Sequence, residues 1–211
     1  MDTFHMKTSL SLPGGALLLA MTSSAFAASS VDLTVKGLIT PSACTPSMPG
    51  DIDFGKIAAR DLNTDTPTWL EPRRMTLNVN CEAATLFALK SFDNRGGSAM
   101  IANAFGLGVI NQTEKLGAFQ LSFGNPVAPI PSTVLIMNSE GYWWELVESD
   151  GIGPDNWVAL GSRNSGDWAP HPLQDMSMDV TLRAAIAPAN DLTLTQEVPL
   201  DGAATLEVMY L

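Results

Sequence analysis

Histidine is nearly absent: His5 and His171 are the two in a chain of 211 residues. With no second histidine near either, the triads and histidine metal sets behind much hydrolytic chemistry lack their parts. Cysteine is as scarce, with Cys44 and Cys81 alone and no C-x-x-C, which excludes a thioredoxin-like redox pair. There is no G-x-S-x-G elbow and no phosphate-cradling glycine loop. Carboxylates that stand close, Asp51 with Asp53 and Asp150 with Asp155, occur in turn sequences, where aspartate serves backbone geometry. Basic residues number 11 against 22 acidic ones, so a net charge of −11 argues against nucleic acid or any polyanion as partner. Apolar residues nowhere recur at helical spacing over a useful length. The expectation is a protein that is not an enzyme, with no catalytic, cofactor or metal residues to nominate.

What is present begins at the N-terminus. Lys7 precedes an apolar run over 10–21, followed by Ser23-Ser24-Ala25-Phe26-Ala27. A positive region, a short apolar region and an A-x-A site make a secretory signal peptide over 1–27, with Met6 an alternative start. The run is too short to span a bilayer and contains Pro13 and Gly14-Gly15. In an exported chain an even cysteine count reads as one disulfide, Cys44 to Cys81.

The rest, 28–211, reads as a single domain of short strands. Val31, Leu33 and Val35 alternate with polar neighbours, and a short strand is expected around Ile52 and Phe54. Residues 58–72 are polar and proline-broken, a loop with one helical turn. MTLNVNC (75–81) alternates with Leu77, Val79 and Cys81 on one face, and 86–92 reads as a separate strand. Further strands are expected over 119–123, in a hairpin of 134–137 with 142–147, and over 157–160; residues 148–156 and 161–175 read as loops. The clearest strand is 176–186, with Met176, Met178, Val180, Leu182, Ala184 and Ile186 facing one way. Residues 192–198 read as a strand. In the terminal stretch GAATLEVMYL, Ala204, Leu206, Val208 and Tyr210 alternate with Thr205, Glu207 and Met209. Many short strands, Gly/Pro turns and no βαβ alternation predict an all-β sandwich.

Four of the five tryptophans, Trp143, Trp144, Trp157 and Trp168, fall within residues 143–168, beside Tyr142. Adjacent strand residues point to opposite faces, so of Trp143 and Trp144 one is expected in the core and the other exposed. Tyr142, Trp143 and Trp144 are therefore candidate glycan contacts, weighed against the plainer reading of core and loop-pinning aromatics.

These pieces, in this order, resemble the subunits of bacterial chaperone–usher fimbriae (pili). The likeness rests on the signal peptide, VKGLITPSAC up to the first cysteine, the D-F-G-K-I stretch, MTLNVNC closing on the second cysteine, and the terminal ATLEVMYL. More narrowly, DNRGGS, FGLG, Lys115-Leu116-Gly117 and IAPANDLTLTQEVPLDGAATLEVMYL resemble a group of fimbrial-like proteins whose shared domain has no assigned function. The resemblance implies an immunoglobulin-like, pilin-like sandwich with an incomplete edge that a donated strand completes. It implies a donor segment over 28–39 carrying Val31, Leu33 and Val35. It implies a docking edge at Ala204, Leu206, Val208 and Tyr210. The implied partners are a periplasmic pilus chaperone, an outer-membrane usher and neighbouring fimbrial subunits. The implied route is export to the periplasm and then to the fimbrium at the cell surface. Val198 stands where pilins often carry a glycine, and the chain is longer than a typical shaft pilin, departures with which a minor, tip or adaptor subunit fits as well as a shaft subunit. The alternative is a lectin-like adhesin binding host or matrix glycans through residues 143–168.

Overall fold

The computed structural model describes residues 43–211, apart from Asn138. The predicted leader (1–27) and donor-like segment (28–39), with Val31, Leu33 and Val35, lie outside the described residues.

The architecture is all-β and every ladder is antiparallel, a curled sheet folded into a sandwich. Its spine is β3 (Arg73–Asp93), a single 21-residue strand that belongs to both layers. In the first layer, the N-terminal half of β3 lies between β1 (Cys44–Ser47) and β12 (Pro172–Ile186). β12 in turn pairs with β7 (Gly117–Val127), and β7 with β4 (Phe105–Gly106). The short β2 (Thr68–Trp69) pairs with the far end of β12. In the second layer, the C-terminal half of β3 lies between β13 (Ala204–Tyr210) and β10 (Trp157–Asn164). Beyond β10 come β8 (Thr133–Met137) and β9 (Trp143–Glu145), while β11 (Asp167–Pro170) folds back on β10. A small ladder of β5 (Val109–Ile110) and β6 (Glu114–Lys115) stands apart.

The two-residue period explains the core. Leu77, Val79 and Cys81 of β3 and Met176, Met178, Val180, Leu182 and Ala184 of β12 point inward from one layer. Phe87, Leu89, Val134, Ile136, Val158 and Leu160 meet them from the other. A second cluster, Leu116, Ile186, Ala187 and Leu192, sits apart at the edge of this core. The one deeply buried hydroxyl of β3, Ser91, donates to the Gly153 carbonyl at 2.9 Å, pinning the loop that precedes β10.

Several boundaries differ from those predicted. Residues 75–81 and 86–92 are parts of one strand, because Glu82, Ala83 and Ala84, exposed at the crossing between layers, stay extended. Residues 161–175 are not loop: β10 and β11 form a tight hairpin. Asn164 pairs with Asp167, and Ser165 (φ 53°) and Gly166 (φ 108°) make its two-residue turn. Residues 192–198 and the segment at Ile52 and Phe54 form no strand, although Ile52, Phe54, Leu194 and Val198 pack against the apolar clusters.

Candidate functional site

The strand β13 pairs with β3 across its whole length, Ala204 opposite Asp93 through Tyr210 opposite Phe87. β1 occupies the same edge of β3 end to end with it, Cys44 opposite Cys81. The two strands meet where the Cys44 N–H donates to the Tyr210 hydroxyl at 3.1 Å. The predicted disulfide, Cys44–Cys81, closes this junction. Among the described residues, neither β1 nor β13 has a strand on its other edge.

The predicted inward set of β13 is only half met. Leu206 and Val208 pack against the main core, half-buried, whereas Ala204 is exposed and Tyr210 is 44 % exposed. Ala204 sits at the rim of the sandwich, and Tyr210 turns its ring toward the junction with β1. Leu206 and Val208 therefore form an incompletely covered apolar pair on an edge strand, an arrangement that invites a further strand.

The chain segments flanking this edge enclose a groove of about 710 Å³. One wall is 52–62, downstream of β1; the other is 192–200, upstream of β13; Leu116, Ile186 and Leu192 of the second cluster line it. Lys56 and Glu197 join the walls through a 2.9 Å ion pair, fully solvated and so a weak clasp. The second wall is held more firmly at both ends. Glu114 accepts from the Thr193 N–H at 2.6 Å and from its hydroxyl at 2.9 Å. The Thr193 N–H first, then Asn111 and the Thr193 hydroxyl, lower the Glu114 pKa below the usual carboxylate value. At the other end Asp201 takes a two-point ion pair from Arg95, at 2.6 and 2.8 Å, which lowers its pKa as well.

The stretches quoted above as a narrower signature converge here. In DNRGGS, Asp93 accepts from the Gly106 N–H and Arg95 binds Asp201. Asn94 donates twice to the start of β13, through its N–H to the carbonyl of Ala203, just before the strand, and through its side chain to the Thr205 hydroxyl. In FGLG, the Leu107 carbonyl accepts from the Asp201 N–H. A β-carbon at Gly106 would fall 1.8 Å from Ser98 Oγ, so the close approach of these two stretches requires glycine. Lys115 donates to the Ala99 carbonyl at 2.9 Å. Distant pieces of sequence thus form one clamp on the start of β13, a spatial fact that no local pattern encodes.

The aromatic region is dispersed. Glu207, Lys90, Trp157, Met137 and Trp143 form one cross-strand row on the outer face of the second layer. Val208, Leu89, Val158, Ile136 and Trp144 form the neighbouring inward row. Neither Trp143 nor Trp144 is a core residue, contrary to the expectation that one would be. Trp144 takes the inward side of an outer strand, where nothing closes over it fully, and stays 46 % exposed; Trp143 is half-buried. Tyr142 is 68 % exposed. The most exposed indole is Trp69, at 59 %, outside this region in what reads from sequence as a loop.

The family described as "Protein of unknown function (DUF1120)" matches residues 33–104, a span that includes the disulfide and DNRGGS but not β13. The chain is 24 % identical over 236 residues to "Uncharacterized protein YhcF" of Escherichia coli (strain K12), covering 95 % of this chain and 98 % of that protein. It is 25 % identical over 252 residues to "Protein GltF" of the same organism, with 95 % and 98 % covered. Both likenesses extend over nearly the full length of each chain.

Proposed function

We propose that the protein is an exported fimbrial-type structural subunit of the minor, tip or adaptor kind, assembled by strand donation and serving surface attachment. The observation that carries this reading is the open edge of β13: a regular seven-residue strand, paired on one side, with Leu206 and Val208 half-covered against the core. The groove between 52–62 and 192–200, the latter leading into β13, supplies apolar lining for an extended segment. The occupant is an extended strand, from a periplasmic pilus chaperone first and then from the N-terminal segment of a neighbouring subunit. Backbone hydrogen bonds give such pairing its affinity, and alternate side chains seated in pockets set its register. The immunoglobulin-like, incomplete character of the sandwich belongs to the same proposal, as does passage through the periplasm and past an outer-membrane usher. Expression in the periplasm with and without a pilus chaperone, followed by size analysis, tests it. Recovery as a 1:1 complex, and loss or aggregation without the chaperone, is expected. A stable monomer that ignores the chaperone overturns it.

A second reading, a glycan-binding adhesin using residues 143–168, draws on the exposure of Tyr142 and Trp144. Protection of Trp144 from a soluble quencher by a sugar would favour it.

A further inference from the structure

The outer face of the first layer carries a second cleft, of about 440 Å³, whose lining includes none of Tyr142, Trp143, Trp144, Trp157 and Trp168. Trp69 on β2 stands opposite Ala185 of β12, and Arg183 of β12 stands opposite Gln120 of β7. Paired residues share a face and so do residues two apart, so the indole, guanidinium and amide project from one side of the sheet. Ala185 and its other partner Ala118 are small and buried, so neither side chain rises beside the indole. Glu71 follows on the Trp69 side. Ser149 and Gly151 form the opposite wall, held down where Ile152 and Leu121 exchange backbone hydrogen bonds at 2.7 and 3.1 Å. A β-carbon at Gly151 would lie 2.7 Å from the Gln120 amide oxygen, so this wall rests against Gln120.

The side-chain chemistry is unspent. Among the described residues, Arg183 and Glu71 make no side-chain hydrogen bond and no ion pair. Gln120 uses its amide nitrogen in one long bond, 3.4 Å to the Asn103 carbonyl, leaving its oxygen to accept. The cleft therefore offers a flat apolar face more than half exposed, a planar fork of donors, a carboxylate acceptor, an amide and the Ser149 hydroxyl. A pyranose presents the complement: an apolar C–H face, and a ring of hydroxyls that each donate and accept. The size falls within the roughly 300–1,000 Å³ typical of small-ligand sites. One cation against one carboxylate leaves the lining without net charge, and Glu148 and Asp150 flank Ser149 in a chain of net charge −11, which disfavours an acidic ligand.

We propose that this cleft binds a neutral saccharide, stacked on Trp69 with its hydroxyls held by Arg183, Glu71 and Gln120. The site is separate from the β13 edge and does not depend on the assembly reading.

The test uses the full-length exported protein carrying fluorotryptophan, whose five indoles report separately by fluorine NMR, with the Trp69 signal assigned from Trp69→Phe. The probes are the methyl glycosides of glucose, galactose, mannose and N-acetylglucosamine, with glucuronate as the acidic arm. A saturable shift of the Trp69 signal with at least one neutral glycoside, and a smaller or no shift with glucuronate, is expected. Arg183→Ala and Glu71→Gln, both exposed and so without effect on folding, should each weaken that binding by about tenfold, the loss of one hydrogen bond to a charged group. No response at Trp69 to any probe overturns the proposal. So does a response that glucuronate matches, one that survives both substitutions unchanged, or one confined to Trp143 or Trp144.

Discussion

Replacing Val208 by aspartate puts the open edge of β13 to a quantitative test. Val208 lies opposite Leu89, which is fully buried, and packs half-covered against the main core. Full burial of a valine contributes roughly 1.5–3 kcal/mol, so its half-burial is worth about 1. A carboxylate brought against that apolar surface adds about 1–3 kcal/mol, softened because the open edge lets it turn to water. The protein alone should therefore lose about 2 kcal/mol and still fold. Once a second strand covers the edge, that escape is closed, and a further ~3 kcal/mol lowers the recovered complex by about 100-fold. Glu207 points to the other face, opposite Lys90, and Glu207→Gln should change stability by less than about 0.5 kcal/mol. The assay is capture of each variant with a co-expressed pilus chaperone, alongside a denaturation curve for each variant alone. Recovery of Val208→Asp in complex at the wild-type level, with its own stability lowered as expected, would refute strand pairing at this edge.

Removing both cysteines, as Cys44→Ala with Cys81→Ala, should lower stability by roughly 4 kcal/mol, because the loop they close spans 37 positions; urea midpoints under non-reducing conditions measure it. Ser91→Ala should cost about 1 kcal/mol in the same assay, since the Gly153 carbonyl loses one of its two donors and keeps the Asn156 side chain. The lowered pKa values of Glu114 and Asp201 mean that their ties to the groove wall are fully present above the ordinary carboxylate value and fail as pH falls through the lowered ones. Hydrogen exchange over 192–203 should accordingly be indifferent to pH (after correction for intrinsic rates) down to roughly pH 4 and accelerate below it. A flat profile through that range would show that these carboxylates do not hold the wall.

Where one face of a strand is buried, the sequence announces it. Leu77, Val79 and Cys81 alternate because their neighbours Asn78 and Asn80 stay exposed, and Met176 to Ile186 behave likewise on β12. The hairpin of β8 and β9 was legible for the same reason. Residues 192–198 alternate too, yet they pack onto the second cluster as irregular backbone tethered by Glu114, and alternation cannot distinguish the two. Pro170 and Pro172 concealed the β10–β11 hairpin, because proline is tolerated at the end and the first residue of a strand. Of the candidate site, the disulfide and the identity of β13 were readable. The clamp on its start and the Trp69 cleft were not, since both join residues from four or more separate segments.

The continuity of β3 bears on how the molecule carries force. Its hydrogen bonds to β13 lie across the strand axis, so a pull along β13 loads the seven-residue ladder in shear, all rungs together, rather than peeling them singly. The load passes into β3 and along its backbone from one layer to the other without crossing a flexible loop. Cys81 lies on that path, and its bond to Cys44 ties β1 covalently to the strand under tension.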